Sequence, residues 1–417
     1  MHRVAVSGAV GVPAEGSPAK LLIAIPALNE EASIKSIIER TLAAREHIQN
    51  ETGIGGVDIC VVSDGSTDNT IKYASEYTDR IKLIVFEKNR GYGAAIKEAW
   101  AQSDASLVGF LDADGTCDPL FFADLVKLLD TEKADLALGC RLNPDSKMPR
   151  IRRVGNVMFA LLLSVFSSKH VKDTASGMRV VRRSSLFKLF PLPDGLHFTP
   201  SMSARALLRD DVVCVEKNMP YHEREGRSKL HVIRDGFRFL GTILQAAFLY
   251  RPSRALGLLA VVFAALAAAI MLQPTYHYLT QHNVEEWMIY RFIVAQLFIT
   301  AAVLLGSVSY LARRIVSLVL SIPSSTMPRM SDWVARFFTA RAAWAVPVVL
   351  EVVALALVWP GIVERVETGS MSLHWSRWMA MSSLSVSALL IVVTRVVDFS
   401  LDLLQDQLRF SQTHRLG

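Results

Sequence analysis

Residues 108–119 read VGFLDADGTCDP, and the apolar run Val108–Leu111 ending on Asp112 and Asp114 decides how the first half of the chain is read. A short apolar run bounded by turn signals is a buried strand. Asp112 and Asp114 then stand where that strand leaves its sheet, with one residue between them. Two carboxylates at that spacing face one divalent cation, and Mg²⁺ or Mn²⁺ takes carboxylate oxygens together with substrate phosphates. An isolated acidic pair recurs by chance in many loops. Its weight here comes from the segments around it.

Upstream, LLIAIPALNEE reads as a strand, a turn at Pro26 and a helix starting near Asn29 or Glu30, with Ile34, Ile37, Ile38 and Leu42 on one helical stripe. VDICVVSDGSTDNT is a second buried strand ending at Asp64, with caps at Asp68 and Asn69 for the next helix. IKLIVFE is a third strand, NRGYGAAIKEAW a glycine-containing loop entering a helix, VGFLD a fourth strand and ADLALGCR a fifth. Strands alternating with helices predict an α/β, mostly parallel, Rossmann-like sheet with right-handed crossovers. Ligands of such sheets bind outside the carboxyl ends of the strands. Glu30, Asp64, Arg90, Asp112, Asp114 and Arg141 all fall there.

The composition changes near Arg254. Ala255–Leu272 is an uncharged run of bilayer-core length, and Met288–Leu311, Ala342–Val363 and Arg377–Val397 are further candidate spans. Glu351 inside the third reads as a helix-to-helix contact. Arg251 and Arg254 precede the first span, the loop 273–287 carries Glu285 and Glu286 without Lys or Arg, and Arg313, Arg314, Arg329, Arg336 and Arg341 follow the second. The bias puts both termini and the N-terminal domain in the cytoplasm. The expected organisation is a flexible tail (1–19), a cytosolic domain (20–227), an amphipathic juxtamembrane region (228–254), a four-helix α-helical membrane domain (255–400) and a cytosolic tail (401–417). No secretory signal is read at the N-terminus. The reading is an integral membrane protein of a prokaryotic plasma membrane.

The net charge of +6 suits contact with anionic lipid, whereas no aromatic-interleaved basic platform supports nucleic-acid binding. Cys60, Cys140 and Cys214 sit in apolar runs as core thiols of a reducing compartment, and Cys117 reads as a solvent-side filler. Asp118 before Pro119 caps the helix LFFADLVKLL. Gly91 and Gly93 flank Tyr92 just before a helix, whose N-terminus favours phosphate. Arg141, Arg150, Arg152 and Arg153 precede the apolar stretch VGNVMFALLLSVF, too short for a span and therefore buried or interfacial. A cation cluster beside a greasy surface suits a phosphate carried on a lipid. HVIRDGFRFLGTILQAAFLY is amphipathic and suits a membrane surface.

In this order the motifs resemble the inverting A-type glycosyltransferases of family 2 that include dolichol-phosphate mannose synthase and its bacterial polyprenyl-phosphate relatives. IPALNEE is similar to I-P-x-x-N-E, SDGSTDNT to D-D-G-S-x-D with Ser63 for the first Asp, and NRGYGAA to N-x-G-x-G-x-A. LDADGTCDP resembles the metal motif, GCR the family's G-S-R, DTASGMR its D-x-x-S-G-F-R and REGRSK its R-x-G-x-S-K loop. The likeness covers roughly residues 20–250. It implies an A-type fold and transfer of a hexose from a nucleotide sugar of the GDP-mannose or UDP-glucose type to polyprenyl or dolichyl phosphate. It implies Asp112 and Asp114 as ligands of Mg²⁺ or Mn²⁺ and, with Arg141, as the catalytic set. Pro26, Leu28, Glu30, Asp64, Arg90, Gly91, Arg224, Ser228 and Lys229 would hold the nucleotide sugar. Arg141, Arg152, Arg153, Ser176 and Arg179 would receive the lipid phosphate. Thr116 stands where mannose-transferring members often have Gln, which leaves the donor open. A Q-x-x-R-W helix, the mark of processive polysaccharide synthases, is not found.

No Asp or His stands out as a general base. A sugar hydroxyl acceptor requires one, and a phosphate monoester, largely ionised near neutral pH, does not. Two alternatives remain open at this level. One is a lipid-linked sugar flippase whose cytosolic domain only binds; the other is transfer to a hydroxyl-bearing lipid. A homo-oligomer is compatible with either.

Overall fold

The computed structural model describes residues 18–144, 146–224, 232–320 and 344–413. The chain divides into two compact units, Met1–Ala247 and Phe248–Gly417.

The first unit is built on a seven-stranded sheet with order β3-β2-β1-β4-β6-β5-β7. Its strands are β1 (Lys20–Ala27), β2 (Gly56–Asp64), β3 (Lys82–Phe86), β4 (Leu107–Leu111), β5 (Leu136–Cys140), β6 (Met178–Arg182) and β7 (Cys214–Asn218). The intervening helices are α1 (Ile34–Thr52), α2 (Thr70–Ser75), α3 (Tyr92–Ala101), α4 (Phe122–Thr131), α5 (Arg150–Phe166), α6 (Leu186–Leu189) and α7 (Phe198–Leu208). All pairings are parallel except those of β6, which runs antiparallel to both β4 and β5. The order reverses between β1 and β4, and a switch point of that kind opens a crevice at the carboxyl edge. The inserted β6 brings its own N-terminal turn to that edge, because Leu111 at the end of β4 pairs with Met178 at the start of β6.

β4 and β5 are buried along their whole length, as central strands covered on both faces must be. One face packs on α1 and α4 through Ile34, Ile37, Ile38, Phe122 and Leu125. The other packs on α3 and α7 around Trp100, Phe110 and Phe198, whose rings meet at centroid distances of 5.8–6.2 Å. Full burial of each such side chain contributes roughly 1.5–3 kcal/mol.

Three local expectations are corrected. β1 runs through Pro26 to Ala27 rather than turning there. Its pairing with β4 ends at Ala24, so the missing N–H of Pro26 leaves no ladder bond broken on that side. α1 starts at Ile34, since Asn29 adopts φ 49° and cannot open a right-handed helix. Cys117 is no solvent-side filler: it is buried in the core with Cys60 and Cys140, and burial pushes the Cys60 and Cys140 thiols up to about 11.

α8 (Val232–Tyr250) follows and ends just inside the second unit. That unit contains α9 (Pro252–Gln281), α10 (Ile289–Leu320), α11 (Ala345–Thr368) and α12 (Trp375–Thr413). Among the described residues these provide four helices long and apolar enough to cross a membrane. α9 packs on α10, and both α10 and α11 pack on α12. Polar side chains join them in pairs. Ser385 on α12 donates to Glu351 on α11 at 2.9 Å, the contact expected of Glu351. Gln296 donates to Ser382 at 2.9 Å, and Arg314 on α10 pairs with the buried Asp398 at 3.1 Å. Arg329, Arg336 and Arg341 lie outside the described residues.

Candidate active site

The carboxyl edge of the sheet encloses a cavity of about 590 Å³. Its first arm is laid down by the segments after β1, β2 and β3, with Pro26, Leu28, Glu30, Asp64 and Gly91 in the wall. Two of these segments are laced together. Asn29 N donates to Ser66 Oγ at 3.0 Å and Thr67 N to Asn29 Oδ1 at 2.7 Å. Glu30 N donates to Thr70 Oγ1 at 2.8 Å. Ser63, which replaces the motif's first Asp, is fully buried and donates to Ser66.

Asp64 faces the cavity while holding the next loop. Its carboxylate accepts Arg90 N at 2.6 Å and Gly91 N at 2.9 Å. Gly91 has φ 108°, and a Cβ there would run into the carbonyl of Asp194. That same carbonyl accepts Gly93 N at 2.6 Å and Ala94 N at 3.1 Å, so the start of α3, read from sequence as a phosphate seat, is capped by the chain itself. The Arg90 side chain leaves the cavity, lies over the Phe86 ring at 4.3 Å and sits 3.7 Å from Glu98.

Asp112 and Asp114 occupy the centre. Tyr92 donates to Asp112 Oδ1 at 2.7 Å, and Gly177, beside it across the β4–β6 pairing, leaves no room for a Cβ against the Asp112 carboxylate. Burial, reinforced by the neighbouring Asp114 charge, pushes the Asp112 carboxyl up to about 7 despite the Tyr92 hydrogen bond and the charges of Arg141 and Arg224. Thr116 Oγ1 donates to Asp114 Oδ1 at 2.6 Å, so Thr116 shapes the acidic turn. Arg224 spans the middle of the cavity, with Nη1 3.0 Å from Asp114 Oδ2 and Nη2 2.9 Å from Glu30 Oε1. Asp118 Oδ1 accepts Leu120 N at 3.1 Å, as the expected cap.

The second arm is apolar and basic. Met148, Ile151 and Phe159 line it together with Phe239 of α8, whose ring meets Phe159 at 5.9 Å. Arg141, Arg152, Arg234 and Arg238 edge it. The outer face of α5 exposes Ile151, Val154, Met158, Leu161 and Val165. Arg141 is anchored by Asp173. Burial works against the Arg141 charge, but the adjacent carboxylate outweighs it and holds the guanidinium above its ordinary range.

Three residues expected at a lipid phosphate stand elsewhere. Arg153 donates to the Asn143 carbonyl at 3.0 Å and is not in the cavity wall. Ser176 and Arg179 are fully buried beneath it. Ser176 Oγ donates to the Gly139 carbonyl at 2.6 Å, and Arg179 Nε and Nη2 donate to the carbonyls of Ser176 and Thr174 at 3.1 and 2.9 Å. Both hold the turn that presents Gly177 to Asp112, because alternation along β6 points Arg179 into the core. Ser228 and Lys229 lie outside the described residues. Sequence reasoning missed Tyr92, Asn156, Arg234 and Arg238 as parts of the site. The motif glycines flanking Tyr92 and following Ser176 were the available signal.

Among the described residues no group of three or more His, Cys, Asp or Glu gathers as a metal-ligand set. Asp112 and Asp114 nevertheless fit a hard cation. Both are oxygen donors set in the wall of one cavity, and Mg²⁺ is commonly held by one or two carboxylates plus substrate phosphates.

The fold is thus an α/β sheet with a two-armed cavity at its switch point, one arm polar and the other apolar and basic. Residues 22–190, which include β2 to β6, match the family described as Glycosyl transferase family 2. The chain is 33% identical over 231 residues to the low-salt glycan biosynthesis hexosyltransferase Agl6 of Haloferax volcanii, covering 54% of this chain and 53% of that one. The chain therefore spans about half the length of that relative. It is 26% identical over 267 residues to the dolichyl-phosphate beta-glucosyltransferase of Saccharomyces cerevisiae, covering 56% of this chain and 77% of that one. A glucosyl-3-phosphoglycerate synthase from Mycobacterium tuberculosis, solved with Mn²⁺, UDP and phosphoglyceric acid, aligns with TM-score 0.44 and 22% identity over 55% of this chain and 78% of its own.

Proposed function

We propose that this chain is a membrane-bound, inverting hexosyltransferase that moves a hexose from a nucleoside diphosphate sugar, of the GDP-mannose or UDP-glucose type, to polyprenyl phosphate on the cytoplasmic face. The observation that carries the reading is the join of two unlike arms at Asp112 and Asp114: a polar arm beside Glu30 and Asp64, and an apolar arm edged by arginines. The names of the two relatives, a hexosyltransferase and a dolichyl-phosphate glucosyltransferase, support the same class. The exposed apolar face of α5 suits a lipid surface.

In this reading Glu30 and Asp64 contact the nucleoside, and Arg224 leaves its bridge to meet the donor diphosphate. Asp112 and Asp114 would hold Mg²⁺ or Mn²⁺, which would supply positive charge to offset that of the diphosphate. Arg141 and Arg152 orient the lipid phosphate. One of its oxygens bonds to the anomeric carbon as the bond from that carbon to the donor diphosphate breaks, and the nucleoside diphosphate leaves. In-line attack inverts the anomeric centre. No general base is needed, since the attacking oxygen carries negative charge near neutral pH.

The test uses membranes containing the protein, polyprenyl phosphate and a panel of radiolabelled nucleotide sugars, scored for lipid-extractable label. One donor is expected to give product, and the double change Asp112→Asn, Asp114→Asn to abolish it. Absence of lipid-linked product with every donor refutes the acceptor class, and full activity of the double variant refutes the metal assignment.

A further inference from the structure

Asp173 belongs to none of the groups assigned above, yet its carboxylate is fully buried directly behind Arg141. It accepts three hydrogen bonds from that one residue: Arg141 N at 2.9 Å and Nε at 2.7 Å on Oδ2, and Nη2 at 2.9 Å on Oδ1. Asn156 supplies a fourth, its Nδ2 donating to Asp173 Oδ1 at 2.5 Å. Asn156 lies on α5 and lines the cavity, and its Oδ1 accepts both Thr174 N at 3.1 Å and Thr174 Oγ1 at 2.9 Å. From the other side, Glu216 on β7 accepts Lys172 N at 2.9 Å and Asp173 N at 3.4 Å. Arg141 and Asn156 therefore hold the carboxylate, and Glu216 fixes the backbone that carries it.

This arrangement commits one edge of the guanidinium and leaves Nη1, on the far side of the fork, uncommitted to Asp173. An arginine held along its Nε–Nη2 edge has lost the rotamer freedom that an exposed arginine surrenders only on binding. The Tyr221 ring, 5.6 Å from the guanidinium carbon, closes a further direction. A cation fixed before the ligand arrives binds a phosphate oxygen at lower entropic cost.

We propose that Asp173 is a positioning residue that presets Arg141 for the acceptor phosphate, and that Asn156 ties this pair to α5, the helix that lines the apolar arm. The inference rests on the acceptor reading above. Neither residue touches the reacting atoms; both act through Arg141.

Farnesyl phosphate serves as a short polyprenyl acceptor for the full chain in detergent, with the donor that proves active. Asp173→Asn is expected to raise the KM for farnesyl phosphate about tenfold or more, the scale of a lost charge-assisted bond, with the donor KM changed less than about twofold. Asn156→Ala shifts the acceptor KM in the same direction by a smaller factor. In an Arg141→Lys background, where the fork is gone, Asp173→Asn adds nothing further. An unchanged acceptor KM overturns the inference, as does a fall in kcat with both KM values unmoved, or an equal effect in the two backgrounds. If Asp173→Asn does not fold, Asn156→Ala carries the same comparison in both backgrounds. A wild type that glycosylates no farnesyl phosphate with any donor overturns the acceptor reading and this inference with it; an active wild type matched by Asp173→Asn overturns the inference alone.

Discussion

Tyr92, the first residue of α3, reaches across the carboxyl edge of the sheet to donate a 2.7 Å hydrogen bond to Asp112 at the end of β4. Its ring stands edge-on to Phe110 and Phe198, at 6.3 and 6.4 Å, so the hydroxyl is delivered by the aromatic core of the domain. Tyr92→Phe keeps that packing and removes only the donor. A hydrogen bond to a charged group contributes about 1.5–3 kcal/mol, so kcat/KM should fall about tenfold to a hundredfold. Steady-state kinetics and a thermal melt check this: activity drops while the melting temperature stays within a few degrees.

Gly177 and Asp112 are neighbours only because β6 runs antiparallel to β4. A Cβ at position 177 would overlap the Asp112 carboxylate. Gly177→Ala should therefore displace Asp112 and cost at least about a hundredfold in activity, with overpacking costing roughly 1–3 kcal/mol of stability. Transfer assays together with denaturant melts separate the two effects.

Arg224 bridges Glu30 and Asp114 across the cavity. It thus competes with any cation for Asp114. Arg224→Ala is expected to tighten binding of free Mn²⁺, followed by calorimetry without nucleotide, and to raise the donor KM about tenfold, as loss of a charged hydrogen bond does. Weaker Mn²⁺ binding in the variant would contradict this role.

Burial opposes ionisation of Asp173, but the charge and hydrogen bonds of Arg141 outweigh it and hold its carboxyl below the ordinary 3.8. A depressed carboxylate stabilises the fold fully above its unfolded value and loses that contribution as pH falls through its folded value. Wild-type melting temperature should therefore fall more steeply than that of Asp173→Asn below about pH 4, and the gap between them should narrow toward acid. Melts across an acid series give the comparison.

In the second unit, Asp398 is buried between Arg314 on α10 and Arg395 one turn earlier on its own helix. Arg314→Ala strips the only cross-helix cation of that pair of contacts. Removing one partner of a buried ion pair costs roughly 3–5 kcal/mol, and Arg395 retains part of it, so a loss near the lower figure is expected. Thermal melts in detergent with Asp398→Asn introduced alongside should recover part of the loss.

Local pattern determined a good deal about this protein. Alternating apolar runs and helical stripes gave the strand–helix order, and their ends collected Glu30, Asp64, Asp112, Asp114 and Arg141 on one edge. Uninterrupted apolar length marked the four long helices. Both signals are local, because strand alternation, helical period and hydrophobic length are properties of a short window.

Tertiary structure alone decided which polar groups are available for chemistry. Arg141, Arg153 and Arg179 look alike as arginines near apolar runs, yet one edges the cavity on Asp173, one binds the Asn143 carbonyl and one is sealed under the sheet. The glycine loop before α3 read as a phosphate seat, and the carbonyl of Asp194 occupies it. The deciding partner is 32 residues away for Arg141 and 10 for Arg153, Arg179 is placed by the antiparallel β6, and Asp194 comes from a distant loop. A side chain's charge is written in its own residue, but its freedom to use that charge depends on long-range packing and on which hydrogen bonds that packing has already filled.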